Sequence, residues 1–370
     1  MIAIVYPQFY GVGGIARYLD SFLANLPDNH PTIHVITGDE NRLDKHFKNV
    51  QFIHLPFSAN RFNLIFWSLK ARKILNQLYA QQKIQCINLH IPPLIPGLFM
   101  PNRIPLILTA HTTYRGMSGR FYSTKFYTSQ WCATEINFKL WVEQRLFSQA
   151  SKVICLTEQG KQEFHTYDVK RPVVVIPNGV DTDLFQINHT AVKDIDILFC
   201  GRIEHRKGSR SMVEACIALM QKKNDIKILI VGYGDDDFWV SAQLSAYTSN
   251  ITLTGKVSFT EMQQFYARSR LYVSTSYYEG LPGTCLEAMA MGVPVIVWNF
   301  LFYKDLIEHG KTGFLIEPNN IEKLVTEAVR VLNDAPTRLQ VATNARAHAE
   351  NKYNWKNLSS EIFNHLNINK

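Results

Sequence analysis

The chain has 370 residues, 46% of them hydrophobic and 19% charged, which excludes a mainly disordered protein and supplies enough apolar material for two cores. Its net charge of +8 is unevenly placed: up to Val180 there are 19 Lys+Arg against 10 Asp+Glu, or +9, and from Asp181 onward 20 against 21, or −1. The basic half points to an anionic partner such as a lipid surface or an acidic glycan, or else to a generally basic surface; no recognised motif supports nucleic acid.

In chain order, short apolar runs alternate with helical patterns, as in parallel α/β architecture. The runs of the first half are residues 2–6, 33–37, 51–55, 86–90, 106–109, 153–157 and 173–176. Those of the second half are 195–200, 227–231, 251–254, 271–275, 293–297 and 314–316. Most are rich in Ile, Val and Leu, as strands buried on both faces should be. Helical spacing fills most gaps, for example 15–26, 62–81, 139–150 and 209–222. Pro177-Asn178-Gly179 favours a turn and marks a domain boundary. The expected division is 1–178, 179–352 and a terminal helix 353–370 that crosses back to the first domain, with Trp355 as its anchor or as simple core packing.

Cys86, Cys132, Cys155, Cys200, Cys216 and Cys285 form no CxxC pair. They read as buried free thiols in a reducing compartment. Residues 1–6 are too short for a signal peptide and lack a basic start. The longest apolar stretch, 91–108, is broken by Pro92, Pro93, Pro96, Pro101, Pro105 and Arg103 and makes a poor membrane span.

Three segments carry chemistry. Gly11-Val12-Gly13-Gly14-Ile15-Ala16 follows the first strand and opens a helix, where backbone amides can approach a phosphate or sugar. It also fits a dinucleotide fingerprint with Asp39 as ribose partner, although residues 7–10 separate it from the strand, or a tight turn without a ligand. Gly201-Arg202-Ile203-Glu204-His205-Arg206-Lys207-Gly208 puts Arg202 and Lys207 at a strand's carboxyl end, suited to phosphate oxygens, or else forms a solvated basic loop. Tyr278-Glu279-Gly280-Leu281-Pro282-Gly283-Thr284-Cys285-Leu286-Glu287 follows a strand and starts a helix that Gly292 and Pro294 end. Gly283 and Thr284 sit where a helix start would grip a phosphate. Thr284 with Glu287 also spells a capping box, which would account for Glu287 but not for Glu279.

Pro177-Asn178-Gly179-Val180-Asp181, Gly201-Arg202 with Lys207-Gly208, and Glu279-x7-Glu287 resemble the GT-B glycosyltransferases of family 4, over essentially the whole chain. The resemblance implies two Rossmann-like α/β domains with parallel sheets facing across a cleft, and retention of configuration. It implies that Arg202 and Lys207 neutralise a donor diphosphate, Glu287 binds ribose hydroxyls and Glu279 faces the donor sugar. Leu281, Pro282, Gly283 and Thr284 then supply contacts around sugar and phosphate, and Lys256-Val257 meet the base. Gly14 and Asn178 belong to the same donor-binding set, and His111 matches the family's histidine near the donor sugar. By itself, one histidine at a strand end is more often structural. In place of the family's Gly-rich stretch after residues 293–297, this chain has Trp298-Asn299-Phe300-Leu301-Phe302-Tyr303-Lys304-Asp305.

The expected reaction moves a hexose-type sugar from a nucleotide-diphosphate sugar to a glycan or lipid-linked acceptor in cell-envelope polysaccharide or glycolipid synthesis. No cofactor and no metal are expected, and Asp235-Asp236-Asp237 reads as a solvated turn. Residues 62–73, aromatic and basic at helical spacing, fit either an anionic membrane or a core stripe. Residues 114–131 carry Arg115, Arg120 and Lys125 among aromatics and are a second candidate acceptor face. The expected location is the cytoplasm, with or without a peripheral place on the inner face of the membrane. A nucleotide-sugar epimerase of the same fold and an NAD-dependent dehydrogenase are the alternatives.

Overall fold

The computed structural model describes the chain except for residues 9–12, 39–46, 57–60, 122–128, 189 and 368–370. Gly11, Val12, Asp39 and Lys125 therefore lie outside the described residues. The chain forms two compact units, one of Met1–Phe121, Ser129–Gly179 and Trp355–Lys370, the other built on Val180–Asn354.

In the first unit the elements are β1 (Ile2–Val5), α1 (Gly14–Ala24), β2 (Ile33–Thr37), β3 (Val50–His54), α2 (Arg61–Ala80), β4 (Cys86–Ile91), β5 (Leu106–Ala110), α3 (Tyr114–Met117), α4 (Ala133–Gln149), β6 (Lys152–Cys155), α5 (Glu158–His165) and β7 (Val173–Val175). The sheet order is β3-β2-β1-β4-β5-β6-β7, parallel throughout. Its central strands are buried on both faces because helices cover both sides of such a sheet.

The second unit holds β8 (Ile195–Cys200), α6 (Ser209–Lys222), β9 (Ile228–Val231), α7 (Asp237–Gln243), β10 (Ile251–Leu253), α8 (Phe259–Arg268), β11 (Ser269–Ser274), α9 (Gly283–Ala290), β12 (Val295–Trp298), α10 (Leu301–Lys304), β13 (Phe314–Ile316), α11 (Ile321–Asn333) and α12 (Ala335–Lys352). Its order, β10-β9-β8-β11-β12-β13, is again wholly parallel. Two Rossmann-like domains result, and every apolar run read from the sequence is a strand.

The last helix, α13 (Trp355–Leu366), belongs to the first unit. Its buried Trp355 ring meets Tyr18 of α1 edge-on, with centroids 5.1 Å apart. Gly179 lies under the same indole, where a Cβ would come within 2.7 Å of the ring. The Cys86 thiol donates to the Leu366 carbonyl at 3.3 Å and Lys152 donates to that of His365 at 3.0 Å.

Three expectations change. Cys132 is exposed at the start of α4, whereas the other cysteines are buried or partly so. Helix α4 begins at Ala133, ahead of the expected 139, because its polar first turn has no apolar period and is tied instead by Glu135 to Lys139 at 2.7 Å. The 62–73 stripe is divided: Leu64, Trp67 and Ala71 enter the core, while Phe66 and Leu69 face outward with Lys70, Arg72 and Lys73.

Candidate active site

In the second unit the strands end in a row of loops at their carboxyl edge, where ligands bind in parallel sheets. The ladder continues past the strands, with Gly201 donating to Val231 O and Gly232 to Gly255 O, each at 3.0 Å. A Cβ on Gly232 would fall 1.7 Å from the Gly201 carbonyl oxygen, so only glycine lets these loops lie so close. A small cavity opens there, lined by residues that include Gly201, Arg202, Lys207 and Ser274 to Ser276.

Arg202, Glu204, Arg206, Lys207 and Glu279 form one charged cluster. Lys207 Nζ donates to Glu279 Oε1, and Arg206 Nη1 lies 3.9 Å from Glu279 Oε2. Arg206 also donates to the Tyr278 carbonyl at 2.9 Å, tying down the loop that carries Glu279. Glu204 bridges Arg206 at 2.6 Å and Arg202 at 3.0 Å. Glu279 is only 9% exposed, whereas the Arg202 side chain is 60% exposed. Three cations face two carboxylates, which leaves the cluster electropositive toward an arriving anion. Glu204 and Arg206 escaped the sequence reading because alternating charge in one loop looks like a solvated surface.

Helix α9 starts at Gly283 with Pro282 as its N-cap residue. Thr284 is therefore already inside the helix, which corrects the capping-box reading: its hydroxyl pairs with Tyr272 Oη at 2.8 Å instead. The Gly283 and Thr284 amides find no acceptor among the described residues, and a Cβ on Gly283 would meet nothing within 4 Å. Leu281 and Pro282 are buried beside them. Glu287 is 8% exposed and accepts from Tyr266 Oη at 3.0 Å. Burial, then the Glu287 charge, pushes the Tyr266 phenol far up, so it stays a donor.

The bulky segment after β12 packs beneath the Glu279 loop. Trp298 Nε1 donates to Thr275 O at 3.0 Å, and Tyr303 Oη donates to Ser274 Oγ at 2.7 Å. Phe302 meets Tyr278 edge-on at 6.3 Å, and Phe300 stacks on Phe302 at 5.7 Å. Lys256 is exposed after β10 with its amine 6.0 Å above the Tyr233 ring, and Val257 is half-buried next to it.

The remaining candidates lie in the first unit. Gly14 is the first residue of α1, with open space where a Cβ would be. Asn178 follows β7 and its Oδ1 is buried with no hydrogen-bond partner among the described residues. His111 closes β5, its amide bonded to Ile91 O at 3.0 Å. Burial pushes its imidazole down to about 3. Arg120, from the second candidate acceptor face, donates to Asn137 at 2.7 Å.

Comparison with known proteins accounts for this pairing of folds and motifs. A family described as Glycosyltransferase Family 4 matches residues 12–184, and one described as Glycosyl transferases group 1 matches 180–348. The chain belongs to the GT-B glycosyltransferases of family 4. This glycosyltransferase is 24% identical over 348 residues to the 2-deoxystreptamine N-acetyl-D-glucosaminyltransferase of Niallia circulans, covering 86% of each chain. It is 24% identical to the capsular polysaccharide biosynthesis glycosyltransferase CapM of Staphylococcus aureus over 57% of this chain and 61% of that one. Anabaena HepE, solved in complex with UDP and glucose, superposes with a TM-score of 0.77 at 18% identity, over 99% of this chain and 98% of its own.

Proposed function

We propose that this glycosyltransferase moves a hexose-type sugar, with retention of configuration, from a nucleotide-diphosphate sugar to a glycan or lipid-linked acceptor of cell-envelope polysaccharide or glycolipid synthesis. The observation that carries the reading is the Arg202–Glu204–Arg206–Lys207–Glu279 cluster at the carboxyl edge of the second sheet, followed at once by the open amides of Gly283 and Thr284. The ligands of HepE and the polysaccharide role of CapM support the donor and acceptor classes.

A departing nucleoside diphosphate disperses its charge and needs neutralisation more than a proton. Arg202, Lys207 and the start of α9 supply that without a metal. Loss of one preorganised donor of this kind typically costs about 10²–10³ in rate. Glu279, held by Lys207 and Arg206, faces the donor sugar, and Glu287 takes the ribose hydroxyls. Lys256 and Val257 meet the base, while Leu281, Pro282, Gly14 and Asn178 complete the donor contacts. His111 serves the transferred sugar. In the transfer the bond from the anomeric carbon to phosphate oxygen breaks, and a bond to acceptor oxygen forms on the same face. The acceptor's proton passes to the departing phosphate.

Among the described residues no helix is long and apolar enough to cross a membrane. Phe66 and Leu69, outward on α2 among Lys70, Arg72 and Lys73, support peripheral contact with an anionic lipid surface on the cytoplasmic side. Flotation with anionic vesicles at low salt reads this contact, and protein left at the bottom of the gradient refutes it.

A thermal-shift panel of nucleoside diphosphates and their sugars tests the donor: a bound ligand far above its dissociation constant stabilises by a few kcal/mol, about 2.7 at a hundredfold excess. The anomeric coupling of the product, read by NMR, tests retention. Arg202→Ala and Glu279→Ala should each lower transfer at least about tenfold with the fold intact. Near-wild-type turnover in both removes the assigned site.

A further inference from the structure

Strands β4 and β5 run parallel with Asn88 beside Ile107 and His90 beside Thr109. Side chains alternate along a strand, so Asn88 and His90 share one face with Thr109 and His111. They form one buried chain of hydrogen bonds in the first unit. Asn88 Nδ2 reaches Ile107 O at 3.3 Å and Thr109 Oγ1 at 2.8 Å. Asn88 Oδ1 lies 2.8 Å from His90 Nε2, and His90 Nδ1 lies 2.9 Å from His111 Nε2.

The proton on every member follows from one backbone carbonyl. Ile107 O only accepts, so the Asn88 amide nitrogen must face it and the amide oxygen must face His90. That oxygen only accepts, so His90 carries its proton on Nε2. Burial holds His90 neutral, and the neighbouring His111 adds to the effect. A neutral His90 with Nε2–H has a bare Nδ1, which accepts from His111 Nε2–H. His111, itself neutral, is left with a lone pair on Nδ1, a nitrogen with no hydrogen-bond partner among the described residues. The Tyr18 ring stands edge-on to His111 with centroids 4.7 Å apart and helps fix its plane.

We propose that Asn88 and His90 are positioning residues that lock His111 as a hydrogen-bond acceptor at Nδ1, so that this histidine recognises a substrate hydroxyl and not a phosphate or carboxylate oxygen. The assignment rests on the transferase reading for its purpose, but the tautomer itself does not. A lone pair attracts a sugar hydroxyl and repels an oxyanion.

The test is two-bond proton–nitrogen NMR on the full chain labelled with ¹⁵N-histidine at pH 7.5, with His111 assigned by its loss in His111→Gln. The expected spectrum shows His90 and His111 as neutral Nε2–H tautomers, and the His111 Nδ1 signal moves upfield when UDP-glucose or GDP-mannose is added to saturation. An Nδ1–H tautomer or an imidazolium at His111 overturns the proposal, as does an unmoved Nδ1 signal with either probe bound. Asn88→Asp supplies a carboxylate that draws a second proton onto His90, whose Nδ1–H then donates to His111 and reverses its tautomer. In that variant kcat should fall about tenfold while the donor KM moves less than about threefold. His90→Phe should let His111 populate both tautomers; a single unchanged tautomer in either folded variant removes the positioning role. The wild-type spectrum is decisive without turnover, so its failure is distinct from a failed donor reading, which the thermal-shift panel reports separately.

Discussion

Gly208 and Thr275 meet backbone to backbone: a Cβ on Gly208 would lie 2.0 Å from the Thr275 carbonyl oxygen, and the Thr275 hydroxyl donates to Gly208 O at 3.0 Å. Gly208 also has φ 72°, the left-handed region that side chains disfavour. The contact joins the end of the Arg202–Lys207 loop to the start of the Glu279 loop. Gly208→Ala must separate them, at a cost of roughly 1–2 kcal/mol from backbone strain in addition to the clash. Urea unfolding should show the lowered midpoint, and nucleotide binding should weaken with it. An unchanged midpoint means the two loops do not touch as described.

The ion pair between Lys207 and Glu279 makes a second prediction that separates binding from turnover. Glu279→Gln removes the charge that neutralises Lys207 and Arg206. A free nucleoside diphosphate should then bind more tightly, by about fivefold or ~1 kcal/mol, while sugar transfer falls at least about tenfold. Calorimetry with the diphosphate and a transfer assay read the two effects. Weaker diphosphate binding by the variant contradicts the electrostatic role given to the cluster.

How much of this was legible in the sequence differs by type of signal. The strands were, because residues such as Ile228 to Val231 are buried on both faces and must be continuously apolar. The Glu279–Glu287 spacing was visible because a carboxylate in a Gly/Pro loop after a strand has no structural excuse. The hub role of Arg206, to which Glu204 is paired, was not, because Arg206 also reaches Tyr278 and Glu279, far along the chain. The Thr284–Glu287 capping box, which the spacing also allows, does not form because the helix starts two residues earlier: Pro282, which donates no N–H, takes the cap position. The Asn88–His90–His111 chain needs the register of β4 on β5, which periodicity alone never fixes.

Tyr18 carries a buried hydroxyl that has no hydrogen-bond partner among the described residues. Its ring, by contrast, is held by His90, His111 and Trp355, with centroids 5.7, 4.7 and 5.1 Å away. A buried, unsatisfied polar group costs roughly 1–3 kcal/mol. Tyr18→Phe keeps the ring contacts and deletes that cost, so it should raise the unfolding free energy by about 1 kcal/mol and leave the His111 tautomer unchanged. A destabilised variant would show that the hydroxyl has an acceptor after all.

The buried histidines predict acid sensitivity with a definite sign. In the folded chain His90 and His111 stay neutral because burial pushes both down, His111 to about 3. In the unfolded chain each takes up a proton near its ordinary value of about 6.5. Below that pH the unfolded state binds more protons, so stability falls as pH falls. Between pH 7.5 and 5.5 His111 should remove about 1.4 kcal/mol, and His90 acts in the same direction. Glu143 works in the opposite direction: burial pushes its carboxyl up to about 7, so acid relieves an unfavourable buried charge. The wild-type slope is the sum of these opposing effects, and the informative measurement is therefore a difference. Urea unfolding of wild type and His111→Gln at the two pH values should show the variant losing about 1.4 kcal/mol less on acidification. Parallel losses in the two proteins would mean that His111 takes up its proton in the fold over the same pH range as in the unfolded chain, against the effect of its burial.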